Sequence, residues 1–121
     1  MTMKQMAAGF IKNLKFNQDG LIIAIAQDLD SKDVLMQAWM NQEAILKTIE
    51  TGQVTYFSRS RNSLWTKGET SGNGQTLVKI QSDCDGDSLL ITVKQKGPAC
   101  HTDATTCFLA GEELKSNDES I

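Results

Sequence analysis

Two alternating runs joined by a short acidic stretch most constrain what this chain can fold into. In residues 76–81 and in residues 88–95, apolar and polar side chains alternate, which places Val78 and Ile80 on one face of the first run. Alternate side chains of a strand share a face, so each run predicts a strand. The joining stretch, DCDGD at 83–87, contains the Asp-Gly pair that is typical of hairpin turns. We therefore expect an antiparallel hairpin.

A helical segment is predicted near residues 33–51. Apolar residues there lie four apart, as in Leu35 and Trp39, and this spacing puts them on one face of a helix. Asn41 is a suitable cap for a helix within this span. Gly52 is placed to end that helix.

The remaining patterns predict further strands. Residues 21–27, LIIAIAQ, and residues 53–58, QVTYFS, are strand-like, whereas residues 59–75 are rich in Gly, Ser, Thr and Asn and predict an ordered loop. Together the elements predict an α+β fold of mostly antiparallel strands, either barrel-like or a two-sheet sandwich. A length of 121 residues suits one domain over 1–121, with residues 116–121 as a loose tail.

Charge and hydropathy exclude several classes of protein. The formal net charge is −3 and the sequence pI is about 5.0, which argues against a nucleic-acid or membrane-surface binder. No apolar run reaches the length of a transmembrane helix, and the N-terminal residues lack the apolar core of a signal peptide. We expect a cytoplasmic protein.

The chain has three cysteines, which cannot all pair within one chain. A reducing compartment with thiols kept for chemistry or for a metal fits this number. Cys84, Cys100 and Cys107 are separated by sixteen and seven positions, which is not the spacing of paired C-x-x-C ligands. They are either metal ligands or buried structural cysteines.

The acidic stretch places a thiol among three carboxylates. If Asp83, Asp85 and Asp87 are in extended chain, their side chains converge on one side and that of Cys84 points to the other. Carboxylates suit hard cations such as Mg²⁺, Mn²⁺ or Ca²⁺, and a thiolate suits Zn²⁺. The alternative is a solvated acidic turn.

The segment GPACHTDATTC, residues 97–107, carries two thiols and the chain's one histidine. His101 is suited to proton transfer beside a metal, although it is also interpretable as a surface histidine next to a packed cysteine. A Cys-His hydrolase is a further alternative. Three thiolates on a tetrahedral Zn²⁺ leave one position for water, as in catalytic zinc sites.

A cationic segment, YFSRSRNSLWTKGETSGN at 56–73, suggests a small phosphorylated ligand. Arginine and lysine side chains together with nearby hydroxyls match phosphate, and an indole ring can stack on a base. The candidate binding residues are Arg59, Arg61, Trp65, Lys67 and Ser71. The alternative is a solvated basic loop.

These motifs, with VLMQAWMN before them and GPACHTDATTCF after them, resemble the phosphoribosyl-AMP cyclohydrolase family of histidine biosynthesis. The resemblance runs from about residue 16 to residue 109. It implies hydrolysis of the N1–C6 bond of 1-(5-phosphoribosyl)-AMP, which opens the adenine ring and yields the formimino aminoimidazole carboxamide ribonucleotide. It also implies a homodimer of barrel-like subunits with the active sites at the interface.

The resemblance assigns roles by position. Cys84, Cys100 and Cys107 match the zinc ligands, with Cys84 supplied by the partner chain. The carboxylates at 83, 85 and 87 match a Mg²⁺ site, and His101 matches a histidine near the metal. Asp103 stands where the family usually has glycine.

The expected mechanism is attack on C6 by a zinc-bound hydroxide, with His101 shuttling protons. Two alternatives remain. Another zinc-dependent nucleobase hydrolase, such as a deaminase, shares the metal chemistry, but its H-x-E and P-C-x-x-C signature is absent. A non-catalytic zinc-stapled binding module is the other.

Overall fold

A computed structural model describes residues 1–116, and it contains two α-helices, six strands and one 3-10 turn. The elements follow one another along the chain as α1 Met3–Lys12, β1 Ile22–Asp28, β2 Val34–Met40, α2 Gln42–Thr51, β3 Thr55–Ser58, β4 Ser63–Thr66, β5 Gln75–Ser82, β6 Ser88–Gln95 and the 3-10 turn Cys107–Leu109. Among these residues, no helix is both long and apolar enough to cross a membrane.

The strands form one sheet in the order β4-β3-β2-β1-β6-β5. All neighbours are antiparallel except β1 and β6, which are parallel. The sheet curls until the segment just before β3 forms hydrogen bonds with β5. Val54 N–H donates to the Gln75 carbonyl at 3.0 Å, and Leu77 N–H donates to the Gly52 carbonyl at 2.8 Å. The predicted α+β fold of mostly antiparallel strands is confirmed, in its barrel-like form.

The core lies between the two helices and the concave sheet. Its largest fully buried side chains come from both helix and strand, and among them are Tyr56, Ile22, Leu35, Met40, Ile45 and Leu89. Helices this short gain most of their stability from such packing. The core therefore holds the strand ends, where the candidate site residues lie, in fixed relative positions.

The predicted hairpin is confirmed, with one change in β5. The second strand has the predicted bounds of residues 88–95. In β5, the register shifts between Leu77 and Lys79, so Val78 is an extra residue there. Val78 is 44% exposed, whereas Leu77 and Ile80 pack against the core. The expectation that Val78 and Ile80 share the apolar face was wrong because of this bulge.

The predicted helical segment near residues 33–51 was wrong over its first half. Residues 34–40 form β2, which lies between β1 and β3. Residues four apart share a face in a strand of period two as well as in a helix, so Leu35 and Trp39 did not discriminate between them. In the second half, the Asn41 side chain accepts from Ala44 N–H at 2.8 Å, and Gly52 ends α2 with a φ of 75°. Both helix ends are confirmed.

Two elements were not predicted. Helix α1 begins with a capping box, in which Thr2 and Gln5 exchange hydrogen bonds between side chain and backbone. Strand β4 lies inside the predicted loop at 59–75 and pairs with β3. The single domain over 1–121 stays a prediction, and the predicted tail at 116–121 lies, apart from residue 116, outside the described residues.

Candidate active site

Strand pairing divides the candidate residues between two opposite ends of the sheet. At the first end, residues 88, 23, 39 and 57 lie side by side across β6, β1, β2 and β3. This end carries the acidic turn and the turn between β3 and β4, and we call it the Cys84 end. At the opposite end, Gln75 pairs with Gln95 and Thr55 pairs with Thr66. We call it the Cys100 end.

The carboxylates of the acidic turn converge, as predicted. Asp83, Asp85 and Asp87 each offer an oxygen atom within 4.8 Å of the others, and all three are exposed. The reason differs from the predicted one, because the chain turns here instead of being extended. Asp83 Oδ1 accepts from the N–H groups of Asp87 at 3.1 Å and Ser88 at 3.3 Å. This arrangement can hold a metal ion.

The charges of this turn repel each other. A hydrogen bond shared with Asp83, and then the negative charge of Asp83, raise the pKa of Asp87. Desolvation acts to raise the pKa of Asp83, but hydrogen bonds from the Asp87 amide and its neighbours outweigh it, and the pKa of Asp83 is lowered. A divalent cation between these oxygens would relieve the repulsion, since an opposite charge favours the ionised form.

At the Cys100 end, the loop after β6 brings two thiols together. A hydrogen bond from Cys100 N–H to the Ala104 carbonyl, 3.2 Å long, holds the two sides of this loop together. The Thr102 hydroxyl lies 3.1 Å from Cys100 Sγ, and its hydrogen bond to the sulfur lowers the pKa of the Cys100 thiol. Burial, followed by interaction with the Cys100 sulfur, raises the pKa of Cys107. Cys100 is therefore the first of the two to become a thiolate.

Lys67 lies close enough to these thiols for its charge to interact with theirs. It directly follows β4 and is anchored by its N–H, which donates to the Val54 carbonyl at 2.9 Å. Partial burial lowers the pKa of the Lys67 ammonium, and the negative charges of Cys107 and Cys100 oppose that change. Partial burial of a cation strengthens its attraction for an anion, so Lys67 beside the two thiols is able to bind an anionic group.

The third cysteine is remote from the other two. Cys84 is exposed in the turn that follows β5, and the eight residues of β5 separate that turn from the Cys100 end. At the usual rise of about 3.3 Å per residue, the ends of β5 are about 23 Å apart. Within residues 1–116, the aspartates of the acidic turn are the one group of three or more His, Cys, Asp or Glu side chains that converges. One chain does not bring its three thiols together.

The predicted substrate-binding residues are also divided between the two ends of the sheet. Arg59 and Arg61 are exposed in the β3–β4 turn at the Cys84 end, where the Arg59 guanidinium lies 5.0 Å from the centre of the Trp39 ring. Ser71 is at the Cys100 end with Lys67, and its hydroxyl accepts from Asn73 N–H at 3.1 Å. His101 is exposed in the Cys100 loop.

The Trp65 ring is less accessible for stacking on a base than a fully exposed ring would be. It is half-buried in β4, and its ring lies 5.1 Å from the ring of Tyr56, tilted by 37°. The Tyr56 hydroxyl in turn donates to Gln75 Oε1 at 2.6 Å, and both residues are fully buried. Burial raises the pKa of Tyr56.

Sequence reasoning missed Tyr56, Gln75 and Thr102. The first two form a polar network beneath the Cys100 end, in which Gln75 Nε2 also donates to Gln95 Oε1 at 2.9 Å. No local pattern links residues 19 and 20 positions apart, so this network could not be found before the strands were paired. Thr102 was visible as a hydroxyl two residues from Cys100, which is a local signal.

Asp103 has a left-handed backbone conformation, with a φ of 69°. Its N–H donates to the Cys100 carbonyl at 3.0 Å, so it completes the tight turn that contains His101. Glycine adopts this conformation without a steric cost, and aspartate tolerates it better than most residues. The turn therefore accommodates aspartate at a position where glycine would be unstrained.

We expect Asp103→Gly to stabilise the protein by about 0.5–1 kcal/mol, because it removes the steric cost of a left-handed side chain. Asp103→Val is the matched contrast and should destabilise by about 1–2 kcal/mol. Urea denaturation of the three proteins measures both changes. Equal stabilities for the glycine and valine variants would contradict the left-handed assignment.

Comparisons with known proteins identify the family of this chain. The family model described as phosphoribosyl-AMP cyclohydrolase matches residues 36–109. A phosphoribosyl-AMP cyclohydrolase of Dinoroseobacter shibae is 59% identical over 96 residues, which cover 79% of this chain and 81% of the relative. One of Granulibacter bethesdensis is 60% identical over 95 residues, covering 78% and 74%.

The match extends over nearly the whole chain in a third relative. A phosphoribosyl-AMP cyclohydrolase of Cereibacter sphaeroides is 51% identical over 109 residues, which cover 90% of each chain. Agreement over this length includes both ends of the sheet and the cysteine loop. The chain therefore belongs to the phosphoribosyl-AMP cyclohydrolase family.

Proposed function

We propose that this protein hydrolyses the N1–C6 bond of 1-(5-phosphoribosyl)-AMP in histidine biosynthesis. The observation that carries the proposal is the thiol pair beside Lys67, in a chain whose relatives over most of its length are named phosphoribosyl-AMP cyclohydrolases. Sulfur ligands for a hydrolytic metal and a cation for a phosphorylated substrate then lie side by side. This combination suits hydrolysis of a phosphorylated nucleotide.

The donor set fits Zn²⁺. Cys100 and Cys107 lie together, the pKa of Cys100 is lowered by its hydrogen bond from Thr102, and soft thiolates select zinc. Cys84 supplies the third sulfur in this proposal. When bound, Zn²⁺ lowers the pKa of a coordinated water towards neutrality.

A homodimer explains how Cys84 joins the pair. In a two-fold dimer, the Cys84 end of each subunit can contact the Cys100 end of the other, which gives two equivalent contacts. Phe108 and Leu109, next to Cys107, are 61% and 73% exposed, which supports a partner surface over this loop. Arg59 and Arg61 accompany Cys84, so each active site takes its arginines from the subunit that supplies Cys84.

The remaining residues act on the substrate. His101 follows Cys100 in an exposed turn, where it can accept and return protons as water adds to C6 and N1 leaves. Lys67 and Ser71 bind the substrate from one subunit and the two arginines bind it from the other. Trp65 offers the base the ring face that Tyr56 does not cover.

Three free thiols also support the cellular location. Thiols of this kind stay reduced in the cytoplasm, where disulfides are rare. We place the protein there, with a small phosphorylated nucleotide as its ligand and no nucleic-acid partner.

Incubation of the metal-replete dimer with 1-(5-phosphoribosyl)-AMP tests the activity. We expect the absorbance of the opened product to appear, and a zinc chelator to abolish it. Subsequent addition of Zn²⁺ should restore it. Absence of product from protein that contains zinc and forms dimers would refute the proposed function.

The converging carboxylates at 83, 85 and 87 are proposed to hold Mg²⁺ separately from zinc. Asp85→Asn should weaken Mg²⁺ binding about tenfold or more, since hard cations depend on the number of charged oxygen ligands, while zinc content stays near normal. Asp30→Asn, which removes an exposed carboxylate outside the turn, is the control. Titration calorimetry and elemental analysis measure the two metals. Loss of zinc with unchanged Mg²⁺ binding in Asp85→Asn would show that the carboxylates serve the zinc site instead.

A further inference from the structure

An open cavity of about 400 Å³ lies at the Cys100 end, beside Lys67. Its walls come from the start of β5, the end of β4 and the glycine-rich loop between them, and its lining residues are Gln53, Thr66, Lys67, Gly68, Glu69, Gly72, Gly74, Thr76 and Lys96. This volume is within the range of small-ligand sites. The cavity is therefore large enough for one part of a nucleotide substrate.

The backbone shapes one wall of this cavity. Gly68 has a φ of 84°, and a Cβ atom there would clash with the backbone nitrogen of Gly74. The two glycines thus bring two loop segments into close approach. Within residues 1–116 their N–H groups donate to no acceptor, and an anion is a suitable partner for backbone N–H groups of this kind.

The charged side chains favour a phosphate. Lys67 and Lys96 supply two ammonium groups against the single carboxylate of Glu69. The backbone of Lys96 is fixed to the same wall, because its N–H donates to the Gly74 carbonyl at 2.9 Å. Thr66 and Thr76 add hydroxyl groups. Paired cations, free amides and hydroxyls together match a phosphate and its sugar.

The lining favours the sugar over the base as the occupant. None of the nine lining residues is aromatic, so the cavity offers no ring on which adenine could stack. Trp65, the aromatic residue next to Thr66, does not line it. The part of the substrate that enters is therefore a phosphorylated sugar.

The position of Lys67 decides which sugar enters. Lys67 lines the cavity and is also within electrostatic reach of Cys107 and Cys100. In the substrate, C6 is bonded directly to N1, so the ribosyl group on N1 is closer to the reacting carbon than the ribose on N9. The sugar beside the metal ligands is thus the one attached to N1.

We propose that the cavity lined by Lys67, Lys96 and the glycine loop binds the 5-phosphate of the ribosyl group on N1. This inference rests on the proposed function for the identity of the substrate. Lys96 is a binding residue that the sequence motifs did not indicate, and it acts on the substrate through its phosphate, away from the reacting bond.

The test uses Lys96→Gln, with Lys79→Gln as the matched control. Lys79 is an exposed lysine of β5 that does not line the cavity. Binding of ribose 5-phosphate to the wild-type dimer, followed by NMR, should shift the amide signals of Gly68, Gly72 and Gly74. Lys96→Gln should weaken this binding about tenfold, the value of one charge-assisted contact, and raise KM for 1-(5-phosphoribosyl)-AMP similarly with kcat little changed.

The outcomes separate this inference from the proposed function. If the wild-type protein opens the adenine ring but Lys96→Gln binds ribose 5-phosphate as tightly as Lys79→Gln does, the phosphate lies elsewhere and the inference is overturned while the function stands. If ribose 5-phosphate shifts the three glycine signals but the ring is not opened, the cavity is a sugar-phosphate site and the proposed function fails.

Discussion

Cys100→Ser is expected to lower kcat/KM for 1-(5-phosphoribosyl)-AMP by at least about a thousandfold, since a hydrolytic metal supplies several kcal/mol of the catalytic effect. Of the two thiols at the Cys100 end, Cys100 has its pKa lowered by a hydrogen bond from Thr102 while that of Cys107 is raised by burial, so Cys100 ionises more readily and is the better ligand for a metal. A serine hydroxyl at this position is a far poorer zinc ligand. Zinc content should fall with activity.

The matched variants define what this loss means. Thr105→Ser changes an exposed residue of the same loop and should keep both zinc and activity. Cys84→Ser should lose both, although Cys84 lies at the opposite end of the sheet from Cys100 within one chain. Elemental analysis measures the zinc content of the three variants, turnover measures their activity, and urea denaturation measures their stability. A Cys100→Ser protein that is active without zinc would contradict the metal assignment.

The hairpin was predictable because its signals are local. Alternation with a period of two and an Asp-Gly turn indicate β5 and β6 from neighbouring residues alone. The bulge at Val78 was not predictable, because it depends on how β5 pairs with β6. The strand β2 was assigned to a helix because apolar residues four apart share a face in either structure.

The chemistry of the site was predictable by residue type, and its placement was not. The sequence indicates thiols, carboxylates and phosphate-binding cations, and the carboxylates do converge. That Arg59 lies with Cys84, and Lys67 with Cys100, follows from pairing between strands that are distant in sequence, above all the parallel pairing of β1 with β6. No local pattern encodes that pairing, so the basic segment was treated as one binding loop.

The second large effect is expected from subunit exchange. Cys84→Ala and Cys100→Ala should each be inactive as pure dimers, since every active site then lacks one sulfur ligand. In a mixed dimer with shared sites, one site carries both lesions and the other carries neither. Random pairing of equal amounts makes about half of the dimers mixed, so activity should return to about a quarter of the wild-type value.

This mixing experiment tests the shared zinc site most directly. Exchange is followed independently by mass spectrometry of the intact dimers. An equal mixture of Thr105→Ser with Cys100→Ala should keep about half of the wild-type activity with or without exchange, so it controls for losses caused by the mixing procedure. Recovery of about a quarter of wild-type activity, with zinc returning in proportion, is the result that the separation of Cys84 from Cys100 predicts. If the three sulfurs came from one chain, every site of a mixed dimer would keep one lesion, and confirmed exchange without any recovery would contradict the shared site.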